Sequence, residues 1–429
     1  MKKLILFLFL LLIIVSASYP QRIAPAATQD SAVMLIGTIH VGNGQVIANG
    51  AVIFDQGKIT YAGEAANAPK VNGKMKVINA AGAQIYPGII APNTYLGLAE
   101  IDLVRATNDY GETGIFNPGV RSLIAYNTDS KIIPTVRSNG VLLVQAVPQG
   151  GTVSGASSIM QLDAWNWQDA VYKEDDGIHL NWPSFFNFQF NDGAATVSVN
   201  EDYEKQVNEI RSYFIQARAY NENAMHAERN INFEAVKNIL AGNKKIFIHC
   251  EYVKEIMNAV SFAKDFRLKM VVVGGRDTYM CTDILKENNV PVILGDVHAL
   301  PQGEDVEVHI PYSKAALLQK AGVLYCLSVS GSWQQRNLPF MCGTTVAYGI
   351  TKEDALKSIT SNTAKILGID DVTGTVEAGK DANLVISSGD LLDMKTNAVQ
   401  FAFIQGRQIN LDNSQKQLYA TYMKKFGLK

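Results

Sequence analysis

The residue types best suited to chemistry in this sequence are imidazoles and carboxylates at the ends of apolar runs. Ile246-Phe247-Ile248-His249 carries one imidazole, and Asp296-Val297-His298 follows the run Val290-Pro291-Val292-Ile293-Leu294. Imidazole and carboxylate at hydrogen-bond distance can move a proton for general acid–base catalysis, which needs no metal. The same three residues, His249, His298 and Asp296, could instead form a small metal site, since both groups ligate divalent ions. Arg276, closing Val273-Gly274-Gly275-Arg276, suits contact with an anion or a polarised carbonyl. Gln145 and His179 also sit near the ends of apolar runs and are further candidates for lining a ligand site.

These residues need a scaffold that brings strand ends together. From about residue 87 the chain alternates apolar strands with amphipathic helices. Examples are Lys245-Ile246-Phe247-Ile248-His249, a helix over 252–266, Lys269-Met270-Val271-Val272-Val273, a helix from about 279, and Val323-Leu324-Tyr325-Cys326-Leu327-Ser328. Such alternation implies a parallel sheet buried on both faces. Its extent favours an α/β fold with a (β/α)8 barrel over 87–372, whose catalytic groups would lie at the C-terminal ends of its strands. Gly-x-Gly-x-x-Gly after an early strand is absent, which argues against a dinucleotide fold. Residues 31–86 and 373–411 read as short strands punctuated by turns such as Asn49-Gly50 and Gln56-Gly57. Each flank is too small for a core of its own, so the two are expected to join in one composite β-sandwich. A polar helix is expected over 412–429.

Composition narrows the function classes. Hydrophobic residues make up 47% of the 429, which excludes a disordered chain. Lys and Arg total 38 against 40 Asp and Glu, a net charge of −2 that gives no reason to expect a nucleic-acid partner. Lys2-Lys3, the apolar run Leu4 to Val15 and Ser16-Ala17-Ser18 have the order of a secretory signal over residues 1–18. An exported protein, periplasmic or extracellular, without a stable membrane span after cleavage is the expectation. Cys250, Cys281, Cys326 and Cys342 are too scattered for a disulfide framework and read as buried thiols.

The flanked-barrel layout and several local motifs resemble the amidohydrolase superfamily, in particular an exported bacterial group of its imidazolonepropionase-like branch. The motifs are Gly37-Thr38-Ile39, Tyr86-Pro87-Gly88-Ile89-Ile90, Asn362-Thr363-Ala364 and Gly374-Thr375-Val376-Glu377-Ala378-Gly379-Lys380-Asp381-Ala382-Asn383. The resemblance implies hydrolysis of non-peptide C–N bonds in a small molecule. One or two divalent ions, Zn²⁺ or another, would polarise the carbonyl and activate water. The family's first barrel strand normally ends Asp-x-His-x-His, whereas this chain reads Ala91-Pro92-Asn93-Thr94-Tyr95. No histidine occurs between His40 and His179, and no acidic residue between Glu307 and Glu353, where the family carries its last aspartate. Of the implied ligand set His249 alone is in place. Asn93 and Tyr95 become candidate ligand-binding groups, and no metal or other cofactor is expected. Two functions follow: a hydrolase with a reduced or metal-free site, or an inactive member that binds a small ligand or forms a homo- or hetero-oligomer with an active amidohydrolase.

Overall fold

The computed structural model describes residues 24–70, 73–191, 194–223, 228–301 and 306–428. The expected signal segment lies outside the described residues.

The strands are β1 (Val33–His40), β2 (Val46–Asp55), β3 (Lys58–Glu64), β4 (Lys76–Pro87), β5 (Ile89–Thr94), β6 (Val141–Ala146), β7 (Val153–Gln161), β8 (Val171–Asn181), β9 (Phe186–Asn191), β10 (Ala194–Val199), β11 (Lys245–Cys250), β12 (Lys269–Gly274), β13 (Val292–Leu294), β14 (Tyr325–Leu327), β15 (Leu384–Ser387), β16 (Val399–Ile404) and β17 (Arg407–Gln408). Eight of them form a nearly closed, barrel-like sheet in the order β14-β13-β12-β11-β8-β7-β6-β5. Every residue of β6, β7, β13 and β14 is buried, as expected where helices cover one face and barrel side chains fill the other. The two edge strands approach through Thr94, whose hydroxyl donates to the Gly331 carbonyl at 3.4 Å.

The sheet departs from the all-parallel expectation at β7, which runs antiparallel to both β6 and β8. The cause is connection length. Residues 147–152 and 162–170 are the only links to β6 and β8, and a parallel crossover takes about a dozen residues or more. Between β11 and β12, by contrast, stands the amphipathic helix Val253–Phe266. It buries Ile256, Ala259, Val260, Phe262, Ala263 and Phe266, and ends on Arg267 in the left-handed conformation (φ 57°). The helix anticipated from about 279 is shorter, Thr282–Glu287, and the terminal helix spans Ser414–Lys425.

The two flanking segments meet in one seven-stranded sheet, β17-β16-β15-β4-β1-β2-β3. The sequence led us to expect a sandwich; instead β15 adds antiparallel beside β4, so the C-terminal strands extend the N-terminal sheet. They also share a core, in which Val52, Phe54 and Ile59 pack with Leu384, Ile386 and Phe403. The Phe54 and Phe403 rings meet edge to face at 5.0 Å. Each such side chain contributes roughly 1.5–3 kcal/mol on burial. Truncation before Gly374 is therefore expected to strip hydrogen-exchange protection from Val52 and Ile53; undiminished protection there would contradict the shared core. All four cysteines are buried free thiols.

Candidate active site at the barrel mouth

A cavity of about 330 Å³ opens at the C-terminal ends of the barrel strands. Asn93 of β5, His249 of β11, Arg276 beyond β12 and Asp296 beyond β13 line it together. Four candidates chosen from sequence thus converge because their strands are neighbours or face one another across the barrel.

The other four do not reach the cavity wall. His298 is exposed and its Nε2 lies 2.7 Å from the Thr344 hydroxyl. Two residues beyond Asp296, the loop has already turned outward. Tyr95 is partly buried against Tyr110, ring centroids 5.3 Å apart. Gln145 and His179 are 0% exposed. They lie one and two residues short of the ends of β6 and β8, and their side chains bond to the buried Asp176 and Ser157 behind the cavity.

That interior position gives both residues a different part. His249 Nε2 lies 2.8 Å from His179 Nδ1, and His179 Nε2 lies 2.9 Å from the Ser157 hydroxyl. Ser157 in turn donates to Asp176 Oδ1 at 2.6 Å. Gln145 donates to the other Asp176 oxygen at 2.8 Å and accepts from the Asn93 backbone N–H at 3.1 Å. The order of donors assigns the tautomers. Ser157 spends its one proton on Asp176, so it accepts from His179 Nε2–H. Neutral His179 then accepts at Nδ1 from His249 Nε2–H, which leaves His249 Nδ1 as the free base of the chain. Burial lowers the pKa of His249 to about 4. It takes His179 well below the usual imidazole range, with the neighbouring His249 adding to the effect. Burial raises the Asp176 carboxyl, while hydrogen bonds from Ser157 and Gln145 and the charges of Lys173 and Lys245 pull it back down.

The cavity also holds charged groups that sequence reasoning missed: Glu251, Asp277 and Lys314. Glu251 opens to the cavity on one side and is enclosed by protein on the other. That enclosure raises its carboxyl, against a hydrogen bond from the Arg276 backbone N–H at 2.8 Å and the charge of Lys314. Gly274 makes room for it: a Cβ there would lie 2.1 Å from Glu251 Oε1. Lys314, on the helix Ile310–Ala321, is only 7% exposed. Burial lowers its ammonium pKa, and Glu251, Asp277 and Asp296 partly restore it. Arg276 stacks over Tyr252, 5.0 Å from the ring centroid, and donates to its hydroxyl at 3.2 Å. Asp296 accepts from the Ser330 backbone N–H at 2.9 Å, tying the ends of β13 and β14. Glu251 and Asp277 stand just beyond strand ends already singled out, so reading two residues further would have found them. Lys314 comes from a helix face with no local signal.

Comparison with known proteins agrees with this architecture. Residues 315–409 match the profile of the amidohydrolase family. An imidazolonepropionase from Flavobacterium johnsoniae is 27% identical over 177 residues, 36% of this chain; the match spans 43% of that relative's length. Among solved structures, an amidohydrolase from Thermotoga maritima superposes with a TM-score of 0.75 at 22% identity, over 88% of this chain and 99% of that one. A putative prolidase from Bifidobacterium longum gives 0.54 at 13% identity, over 91% and 99%. The profile match, the sequence relative and the shared fold all point to similarity with the amidohydrolase superfamily. Within it, the resemblance is to the imidazolonepropionase-like branch.

The family's divalent metal does not fit the donors present. Among the described residues no three His, Cys, Asp or Glu side chains converge as a ligand set. At the first-strand position Asn93 offers a neutral amide whose Oδ1 is buried without a hydrogen-bond partner. His249 Nε2 is committed to His179. A catalytic zinc generally takes three protein ligands, drawn from imidazole, thiolate and carboxylate.

Proposed function

We propose that this exported member of the superfamily hydrolyses a non-peptide C–N amide bond of a small molecule without a metal, with His249 as general base. The observation that carries the reading is the unbroken hydrogen-bond chain from His249 to Asp176. A water held in the cavity would lose its proton to His249 Nδ1 as it attacks the amide carbon. His249 would release its Nε2 proton to His179 Nδ1, His179 its Nε2 proton to Ser157, and Ser157 its own to Asp176. Charge is then neutralised at a carboxylate whose burial already favours the protonated form, and no imidazolium need persist in a site that disfavours it. Lys314 and Arg276 supply the positive charge that a developing oxyanion requires. The reverse relay returns the proton to the leaving nitrogen.

A second reading is favoured by Asn93 and Tyr95 standing where the family places imidazoles: a non-catalytic member that binds the small molecule, alone or paired with an active relative. Purified mature protein offered a panel of small cyclic and linear amides separates the two. Turnover that survives chelation and disappears in His249→Gln supports the hydrolase. Saturable ligand binding without turnover supports the second reading. About one tightly held Zn²⁺ per chain, lost in His249→Ala, would restore a metal-dependent reading and overturn ours.

Export is part of the same proposal. Mass spectrometry of protein from the native envelope is expected to find a mature chain beginning near Tyr19; recovery of intact residues 1–18 in the membrane fraction would contradict it.

A further inference from the structure

At the opposite end of the barrel from His249, a second cavity of about 550 Å³ is ringed by Lys245, Lys264, Arg267, Lys269 and Lys365. Lys245 and Lys269 begin β11 and β12, the two strands whose far ends carry His249 and Gly274. Among the described residues lining this cavity none is Asp or Glu. Lys264, Arg267, Lys269 and Lys365 are exposed, and their side chains make no hydrogen bond or ion pair with a described residue. Lys245 alone is engaged, donating to the carbonyls of Lys365 and Ile366. The positive charges act on one another: Lys173 and Lys269 add to the burial that lowers the Lys245 pKa, while Asp176 and Asp370 act against it.

An ordinary structural role accounts for only part of this cluster. The helices Val253–Phe266, Thr282–Glu287 and Ser361–Leu367 all end near the cavity, and cations near helix C-termini are favourable. Each terminus is worth about half a negative charge. Three of them offset well under half of five full cations, in a chain whose overall charge is −2. The remaining field is positive and focused in a concave site.

We propose that this cavity binds a phosphate-bearing anion. The cations stand on different elements around the opening, so their partner must offer oxygens in several directions. A phosphate does this, whereas a carboxylate presents two coplanar oxygens that one guanidinium can satisfy. The floor adds apolar surface from Leu268, Pro291 and Leu324, the last 38% exposed. Such a floor accommodates the non-ionic part of a phosphorylated molecule or lipid. The site lies away from the barrel mouth and does not depend on what is hydrolysed there.

The test measures calorimetric binding of inorganic pyrophosphate, and co-sedimentation with phosphatidylglycerol-containing vesicles, both at about 0.15 M salt so that diffuse attraction is screened. The mature protein is compared with its Lys264→Ala/Lys269→Ala variant, two exposed positions whose truncation leaves the core intact. Saturable pyrophosphate binding, weakened at least about tenfold in the variant, supports a soluble phosphate ligand. Binding to the anionic vesicles alone, weakened to the same degree, supports a lipid headgroup. His249→Gln should bind as the wild type does, which keeps the result independent of the barrel-mouth reading. Absence of both interactions, or binding unchanged by the double substitution, overturns the proposal.

Discussion

His249→Gln is expected to lower kcat for amide hydrolysis by roughly 10²–10⁴-fold, the range general-base groups contribute, while leaving the metal content of the protein unchanged. Glutamine keeps a donor that can reach His179 Nδ1 but offers no basic nitrogen to accept a proton. The substitution therefore separates proton transfer from packing. Ser157→Ala makes the complementary prediction. It removes the group that joins His179 Nε2 to Asp176 Oδ1, so the base stays in place but its proton has nowhere to go. A fall in kcat of about 10- to 100-fold with little change in KM is expected there, milder than for the base itself. Chelation should affect neither variant nor wild type. Equal loss of kcat in all three after chelation, or a metal stoichiometry that falls with His249, would show that the imidazole acts as a ligand and not as a base.

The part of this site that was legible in the sequence is the part that follows strand ends. Apolar runs of four or five residues mark β11, β12 and β13, and whatever polar residue follows such a run sits at the barrel mouth. That rule found His249, Arg276 and Asp296. It failed at His298, because two further residues are enough for a loop to turn away. It failed differently at Gln145 and His179. Both do lie near the C-terminal ends of β6 and β8, but their side chains turn inward: the register places His179 opposite Phe247, inside the barrel. β7 was the least legible element. Its sequence, Val153 to Gln161, contains Gly155 and three serines and lacks the aliphatic density of the other barrel strands. Yet those small residues allow it to run buried and antiparallel, with Gly155 at φ 129° where a Cβ would lie 2.6 Å from the Val120 carbonyl oxygen. Ser157, the hinge of the proton path, comes from that strand. Long-range convergence of this kind has no local periodicity to reveal it. That the two flanks join has a simpler reason, since each is too small to bury a core alone; that they join as one extended sheet rather than a sandwich had no local signal.

Acidification is expected to destabilise the protein through the same pair of imidazoles. An imidazole in the unfolded chain titrates near 6.5, whereas burial in the fold holds His249 at about 4 and His179 also well below its usual range. Between those values the unfolded chain binds protons that the folded one refuses, so stability must rise with pH across the window and fall as pH drops from about 6.5 towards 4. For His249 the full shift corresponds to roughly 3 kcal/mol. Its ring borders the open cavity, where water can screen part of a charge, so a loss of about 1–3 kcal/mol is the reasonable expectation. Burial also raises the carboxyls of Asp176 and Glu251, which adds their own pH dependence, so a simple pH series would mix the contributions. The decisive measurement is therefore a difference: unfolding free energy from urea titrations at several pH values between 4 and 7, for wild type and for His179→Gln/His249→Gln. Glutamine is neutral throughout and still hydrogen-bonds. The double variant should start less stable near neutrality, having lost well-made contacts, and should then show a shallower dependence on pH, so that the two curves converge on acidification. Parallel curves would mean that the imidazoles accept protons in the folded state as readily as in the unfolded one. In that case the dyad would be charged in weak acid, and the neutral tautomers on which the proton path depends would not be those of the native protein.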